Sequence, residues 1–286
     1  MTLEWSVAIA AAAEVAERPV WDDATASLVW VDILAGGVHR YRPSDGTDAV
    51  VQVGDVVGAA GLRASGGLVA AADHGVLLLD ASGAVDRAIP VPLPSGVRFN
   101  DGVVDPWGGF VVGTIGPAGS GSLYRVTPDG DVLTLLTGVT ASNGIGWSPD
   151  RSTMYYVDSA EPAIRTYDVG HEPGSLGRRR QDLVTLTAGQ DIPDGLVVDA
   201  AGCVWVALWE GWAVRRYAPD GQLLEHIPVP VSRPTCPEFG PGGTLYLTTG
   251  WEEMSDVERS DQPWAGHVLV ADASPARGTR AHRFAG

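Results

Sequence analysis

Apolar residues along this chain come in runs of three to five, set between polar turns that often carry glycine. The clearest runs lie at Ser27–Asp32, 67–70, 109–113, Thr153–Asp158, 203–207 and 244–248. With Leu28, Leu68, Phe110, Met154, Val204 and Leu245 as anchors, they recur at intervals of 40, 42, 44, 50 and 41 residues. A further strand-like run follows most anchors after a tight turn, as at 37–41, Gly75–Leu79, 122–126 and Ala213–Tyr217. Two of these lead into Pro-Asp-Gly, at 128–130 and 219–221. There Pro presets one dihedral and Gly supplies a positive one. The runs are continuous or alternate in twos, which excludes the 3.6-residue stripe of a helical solenoid.

About four short strands in a period of 40 to 50 residues is the pattern of a propeller blade. Six anchors therefore predict an all-β, six-bladed β-propeller, with residues 1–286 as a single domain. The interval of 50 predicts an insertion at 171–181, where Arg178, Arg179 and Arg180 stand in succession and should be solvated on the surface. Residues 5–9 are expected to complete the last blade and cover its open sheet edge.

Composition narrows the function classes. A formal net charge of -16 lacks the basic footprint that nucleic acid or an anionic membrane requires. No uninterrupted apolar stretch approaches the length of a membrane span. The run 7–13 lacks the positive segment that opens a secretory signal and is read as a strand. The two cysteines, Cys203 and Cys236, make neither a disulfide framework nor a zinc spacing, so a reducing, cytoplasmic setting is expected. The six histidines show no paired metal spacing, and nucleophile-elbow, Walker and dinucleotide motifs are absent.

Candidate chemistry comes from polar groups that recur in phase with the repeat. Asn or Asp followed by Gly and an apolar run occurs at Asn100-Asp101-Gly102, Asn143-Gly144 and Asp194-Gly195. Asn100 and Asn143 lie 43 residues apart, and Asn143 and Asp194 lie 51 apart, which are blade intervals. Such pairs are also the commonest hairpin turns, but three in register place them at equivalent points of successive blades. Glu17 stands before a strand in the same manner. Blades funnel towards one channel, so two carboxylates and an amide from Glu17, Asn143 and Asp194 form an oxygen donor set for one divalent ion. That set suits Ca²⁺, Mg²⁺ or Mn²⁺, and Zn²⁺ less well.

The chain resembles the gluconolactonase, senescence-marker-protein (regucalcin) and luciferin-regenerating enzyme family over nearly its whole length. The match rests on Glu17-Arg18-Pro19-Val20-Trp21-Asp22 with Leu28 to Ile33, Arg98 to Gly102 followed by Asp105-Pro106 and Gly113-Thr114, Ser142-Asn143-Gly144, Tyr155 to Ser159, and Ile192 to Gly195 with Asp199. The resemblance implies metal ligation by Glu17, Asn143 and Asp194 and substrate binding by Arg98 and Asn100. One departure stands out. Several family members carry an acidic, substrate-contacting residue in the segment after Gly113-Thr114, whereas the short segment 115–121 here holds no acid.

The implied activity is metal-dependent opening of a sugar lactone, an aldonolactone such as gluconolactone or a pentonolactone, to the aldonic acid, with Asp194 as catalytic base. Hydrolysis of other esters or phosphotriesters is an alternative. Another is a calcium-binding regulatory protein without turnover, and Arg98 separates it from the enzymes, because an ion-binding site gains nothing from a nearby cation.

Overall fold

The computed structural model describes residues 2–286 apart from His171, Pro173, Ala188 and Gln190. Six antiparallel sheets form the ring of a six-bladed β-propeller. The innermost strands are Ala16–Asp22, Val57–Leu62, Arg98–Val104, Ser142–Trp147, Ile192–Val198 and Pro234–Phe239, for blades 1 to 6 in chain order. All six anchor residues fall on the strand next outward, buried on both faces, which is why those strands read as unbroken apolar runs. Trp30 and Trp205, both fully buried, fill the spaces between blades, and Trp205 meets Phe239 of the next blade edge to face at 5.4 Å.

The last blade is closed by the other end of the chain. Ser6–Ile9 pairs antiparallel with Val268–Asp272, with Ser6 opposite Val270. Trp5 Nε1 adds a 2.9 Å bond to the Pro228 carbonyl. The insertion in blade 4 contributes an outer strand, Leu176–Arg179, and a two-residue strand, Val184–Thr185. Arg178, Arg179 and Arg180 are exposed there, as expected; the start of that insertion, His171, lies outside the described residues.

The inner strands share a departure from regular pairing that shapes the channel. Each has a register shift against its neighbour, between Glu17/Val20, Val57/Ala59, Phe99/Gly102, Asn143/Ile145, Pro193/Leu196 and Pro234/Pro237. A bulge re-aims side chains and frees backbone from the ladder. Here six bulges at one level point the early residues of each inner strand at a common axis. At the far end, residues 277–285 run beneath the ring: Ala200 N–H donates to Arg277 O, Phe284 N–H to Leu62 O and Ala285 N–H to Gly108 O. Phe284 is fully buried there.

Candidate active site

The Asn-Gly and Asp-Gly steps are not turns. Asn143-Gly144 and Asp194-Gly195 lie within inner strands, and neither glycine has a positive φ. They are glycine because the neighbouring blade comes too close for a side chain. A Cβ on Gly144 would sit 2.7 Å from the Asp194 carbonyl oxygen, and one on Gly195 would sit 2.5 Å from Cys236 Cβ. The glycines thus draw adjacent inner strands together at the level where the residues before them face the axis.

Glu17, Asn100, Asn143 and Asp194, from blades 1, 3, 4 and 5, line one cavity of about 350 Å³ together with Arg98. All the residues singled out from the sequence therefore meet in one place. The four channel residues are buried, with Glu17 only 3% exposed, while Arg98 is half-buried at the wider end. Asn100 Nδ2 donates to Asn143 Oδ1 at 2.9 Å and to the Ser142 carbonyl at 2.9 Å. Asn143 Nδ2 donates to Ser159 Oγ at 2.7 Å, and Ser159 donates in turn to the Pro193 carbonyl at 2.6 Å. This chain ties blades 3, 4 and 5 and fixes the Asn143 amide at the cavity wall, its oxygen accepting from Asn100 with a second lone pair left over. Ser159 is a site residue that sequence reasoning quoted only within a family motif.

Directly beneath lies an ion pair with no sequence forecast. Arg18 Nη1 lies 3.2 Å from both carboxylate oxygens of Asp101, and both side chains are buried. Arg18 adopts φ 40 at the blade 1 bulge, and its amide N–H bonds the Glu17 carboxylate. Asp101, three residues from Arg98 in sequence, pairs with Arg18. Arg98 is instead in no ion pair among the described residues; its Nη1 donates to Phe99 O at 3.0 Å and to Asn100 Oδ1 at 2.8 Å.

Electrostatically the waist of the channel is overloaded with negative charge. Three buried carboxylates, Glu17, Asp101 and Asp194, face one guanidinium, which leaves two charges uncompensated when all are ionised. Burial, then the nearby Asp101 carboxylate, pushes Glu17 up to about 8. Burial, then Glu17 and Asp101, drives Asp194 well above the usual carboxylate range. Burial also raises Asp101, against the pull of Arg18. Glu17 Oε1 is buried with no hydrogen-bond partner. Among the described residues, no three His, Cys, Asp or Glu side chains assemble as a metal cluster. The candidate set is completed by an amide, and its orphaned carboxylate oxygen and excess charge fit a hard divalent cation.

Other residues of the matched motifs have structural duties. Asp105 accepts from the N–H groups of Trp107 and Gly109 and pairs with Arg125, and Asp199 accepts from those of Ala201 and Cys203 and pairs with Arg216. Each holds the turn between the first and second strands of its blade.

Residues 15–250 match the family model described as the SMP-30/Gluconolactonase/LRE-like region. The chain belongs to this family. Within it, the chain is 38% identical to a 6-deoxy-6-sulfogluconolactonase of Pseudomonas putida over 89% of each chain. It is 34% identical to an L-arabinolactonase of Azospirillum brasilense, over 94% of this chain and 92% of that one. The calcium-binding protein regucalcin of Agrobacterium tumefaciens superposes with a TM-score of 0.91 at 27% identity, covering 99% of this chain and 98% of that structure. Family membership agrees with the sequence reading and covers all five motif blocks from Glu17 to Asp199.

Proposed function

We propose that this protein hydrolyses a sugar lactone to the open aldonic acid, with a divalent cation held by Glu17, Asn143 and Asp194. The observation that carries the reading is the pairing, in one cavity, of a buried two-charge excess of carboxylate with an arginine that makes no ion pair among the described residues. The first asks for a cation, and the second for an oxyanion or carboxylate. Relatives named as lactonases of a sulfonated gluconolactone and of arabinolactone support that substrate class.

A cation bound there supplies Lewis-acid polarisation of a carbonyl oxygen. The chain's own groups do the rest. Asp194 accepts a proton from the water that adds to the carbonyl carbon. The bond from that carbon to the ring oxygen then breaks, and the proton passes to the leaving ring oxygen, giving a hydroxy acid. Arg98 donates to the developing charge and to the carboxylate product, and its bonds to Phe99 O and Asn100 Oδ1 fix its direction. Asn100 holds Asn143 in place and presents its amide to the same cavity.

A purely ion-binding role explains Glu17, Asn143 and Asp194 but leaves Arg98 without a purpose, because a cation beside the site weakens it. The test is a pH-stat screen of the purified protein against aldonolactones of five and six carbons, with and without chelator. Acid release on at least one lactone, lost with chelator and restored by a divalent ion, is expected. No acid release on any of them, with the metal bound, would overturn the reading.

A further inference from the structure

The segment 115–121 carries no acid, but the cavity does have one above its floor, delivered from a different blade. Glu252 and Glu253, in the loop between Thr244–Thr249 and the short helix Asp256–Asp261, line the same cavity as Arg98. The loop is held firmly. Trp251 N–H and Glu252 N–H both donate to the Glu14 carbonyl, at 2.8 and 3.1 Å, and Met254 N–H closes a turn onto Trp251 O. The Trp251 indole bonds Ala12 O at 3.1 Å, and Glu253 takes φ 60 at the turn. These bonds tip the half-buried Glu252 side chain over the cavity and leave Glu253 exposed at the rim.

Glu252 and Arg98 feel each other's charge, yet they are too far apart to form an ion pair. A carboxylate with acceptors only and a guanidinium with donors only thus line one cavity without pairing. Trp209 forms another wall, backed on one face by Arg233, whose Cζ lies 5.0 Å from the ring centroid.

We propose that Glu252 is the specificity-determining residue of this site, accepting hydrogen bonds from hydroxyls at the far end of the substrate and excluding substrates charged there. The inference rests on the lactonase reading and deepens it. It selects neutral polyhydroxylated lactones over those with a carboxylate or sulfonate at the opposite end. That preference is opposite to the one implied by the name of the sulfogluconolactonase relative. Like-charge repulsion builds specificity by rejecting the wrong partner, beside the contacts that select the right one.

The experiment compares D-gluconolactone with D-glucarolactone, which carries a far-end carboxylate, as substrates of the wild type, E252Q and E253Q. In parallel, calorimetry measures binding of neutral D-glucitol against anionic D-glucuronate to the same three proteins. E252Q should shrink the preference for the neutral ligand about tenfold in both readouts, by weakening the neutral ligand and admitting the anion. E253Q removes the same formal charge and should change it less than twofold. Equal effects of E252Q and E253Q would mean a diffuse field rather than a positioned acceptor and would overturn the assignment, as would an unchanged preference in E252Q. Absence of turnover in the wild type would overturn the lactonase reading alone, since the binding arm still decides for or against Glu252.

Discussion

Replacing Arg18 with methionine (R18M) removes the cation beneath the site while keeping a long, unbranched stem in the same left-handed backbone position. Asp101, with a side chain fully shielded from solvent, would then retain only the Gly102 N–H at 2.7 Å as a partner. It would also sit in a group of carboxylates with Glu17 and Asp194 and no compensating charge. Breaking one half of a buried pair costs about 3–5 kcal/mol, because the remaining charge stays desolvated. Unfolding entropy for a chain of 286 residues is about 0.6 kcal/mol/K, so that loss lowers Tm by about 5–8 °C. Urea denaturation followed by tryptophan fluorescence measures it at neutral pH. The double variant R18M/D101N removes both charges and should recover to within about 1–2 kcal/mol of the wild type, since the cost lies in the orphaned carboxylate. A loss below about 1 kcal/mol in R18M, or a double variant less stable than R18M, would refute this account of the channel waist.

E17Q or D194N should abolish lactone hydrolysis while leaving the circular dichroism spectrum unchanged, because each removes charge from the channel and nothing from a blade core; near-normal turnover at saturating metal would show that the ligand assignment is wrong. R98A should lower kcat/KM by about ten- to a thousandfold, with metal affinity by calorimetry level or slightly higher; unimpaired hydrolysis would favour the ion-binding role. Glu238 shares the lower channel with Arg18, and burial raises it to about 7. A raised carboxyl contributes stability below its unfolded value of 4.5 that is lost as pH climbs through 7, so E238Q should gain on the wild type over that window, by up to about 3 kcal/mol. A stability difference that stays flat from pH 4 to 8 would contradict that burial.

Why some of this was legible in the sequence, and some not, follows from what each feature depends on. Trp30, Met154 and Val204 declare the blades because their strands are buried on both sides, and burial on both sides demands apolar residues. Asn143 and Asp194 stand out because the repeat sets their phase; what the sequence could not tell is that Gly144 and Gly195 serve close approach between blades rather than turning. Arg18 and Asp101 are separated by 83 residues and meet only when blade 1 closes against blade 3 across the channel. No local spacing signals that. Glu252 was equally hidden, since an acid in a loop reads as a solvated surface charge until the bonds to Glu14 aim it inward.

The pairing of Ser6–Ile9 with Val268–Asp272 has a consequence for how the chain is made. Residues 264 positions apart must meet before the ring exists, and closing a loop of that length costs about 5 kcal/mol in chain entropy. During synthesis, blades 1 to 5 have all their strands before the last strand of blade 6 emerges. Blade 6 does not, because its outer strand, Ser6–Ile9, precedes all the other blades in the chain and must wait for Val268–Asp272 to appear. At the proposed site, cation binding would be coupled to ring closure, and a cation would favour the closed ring over an open arc of sheets with two bare edges.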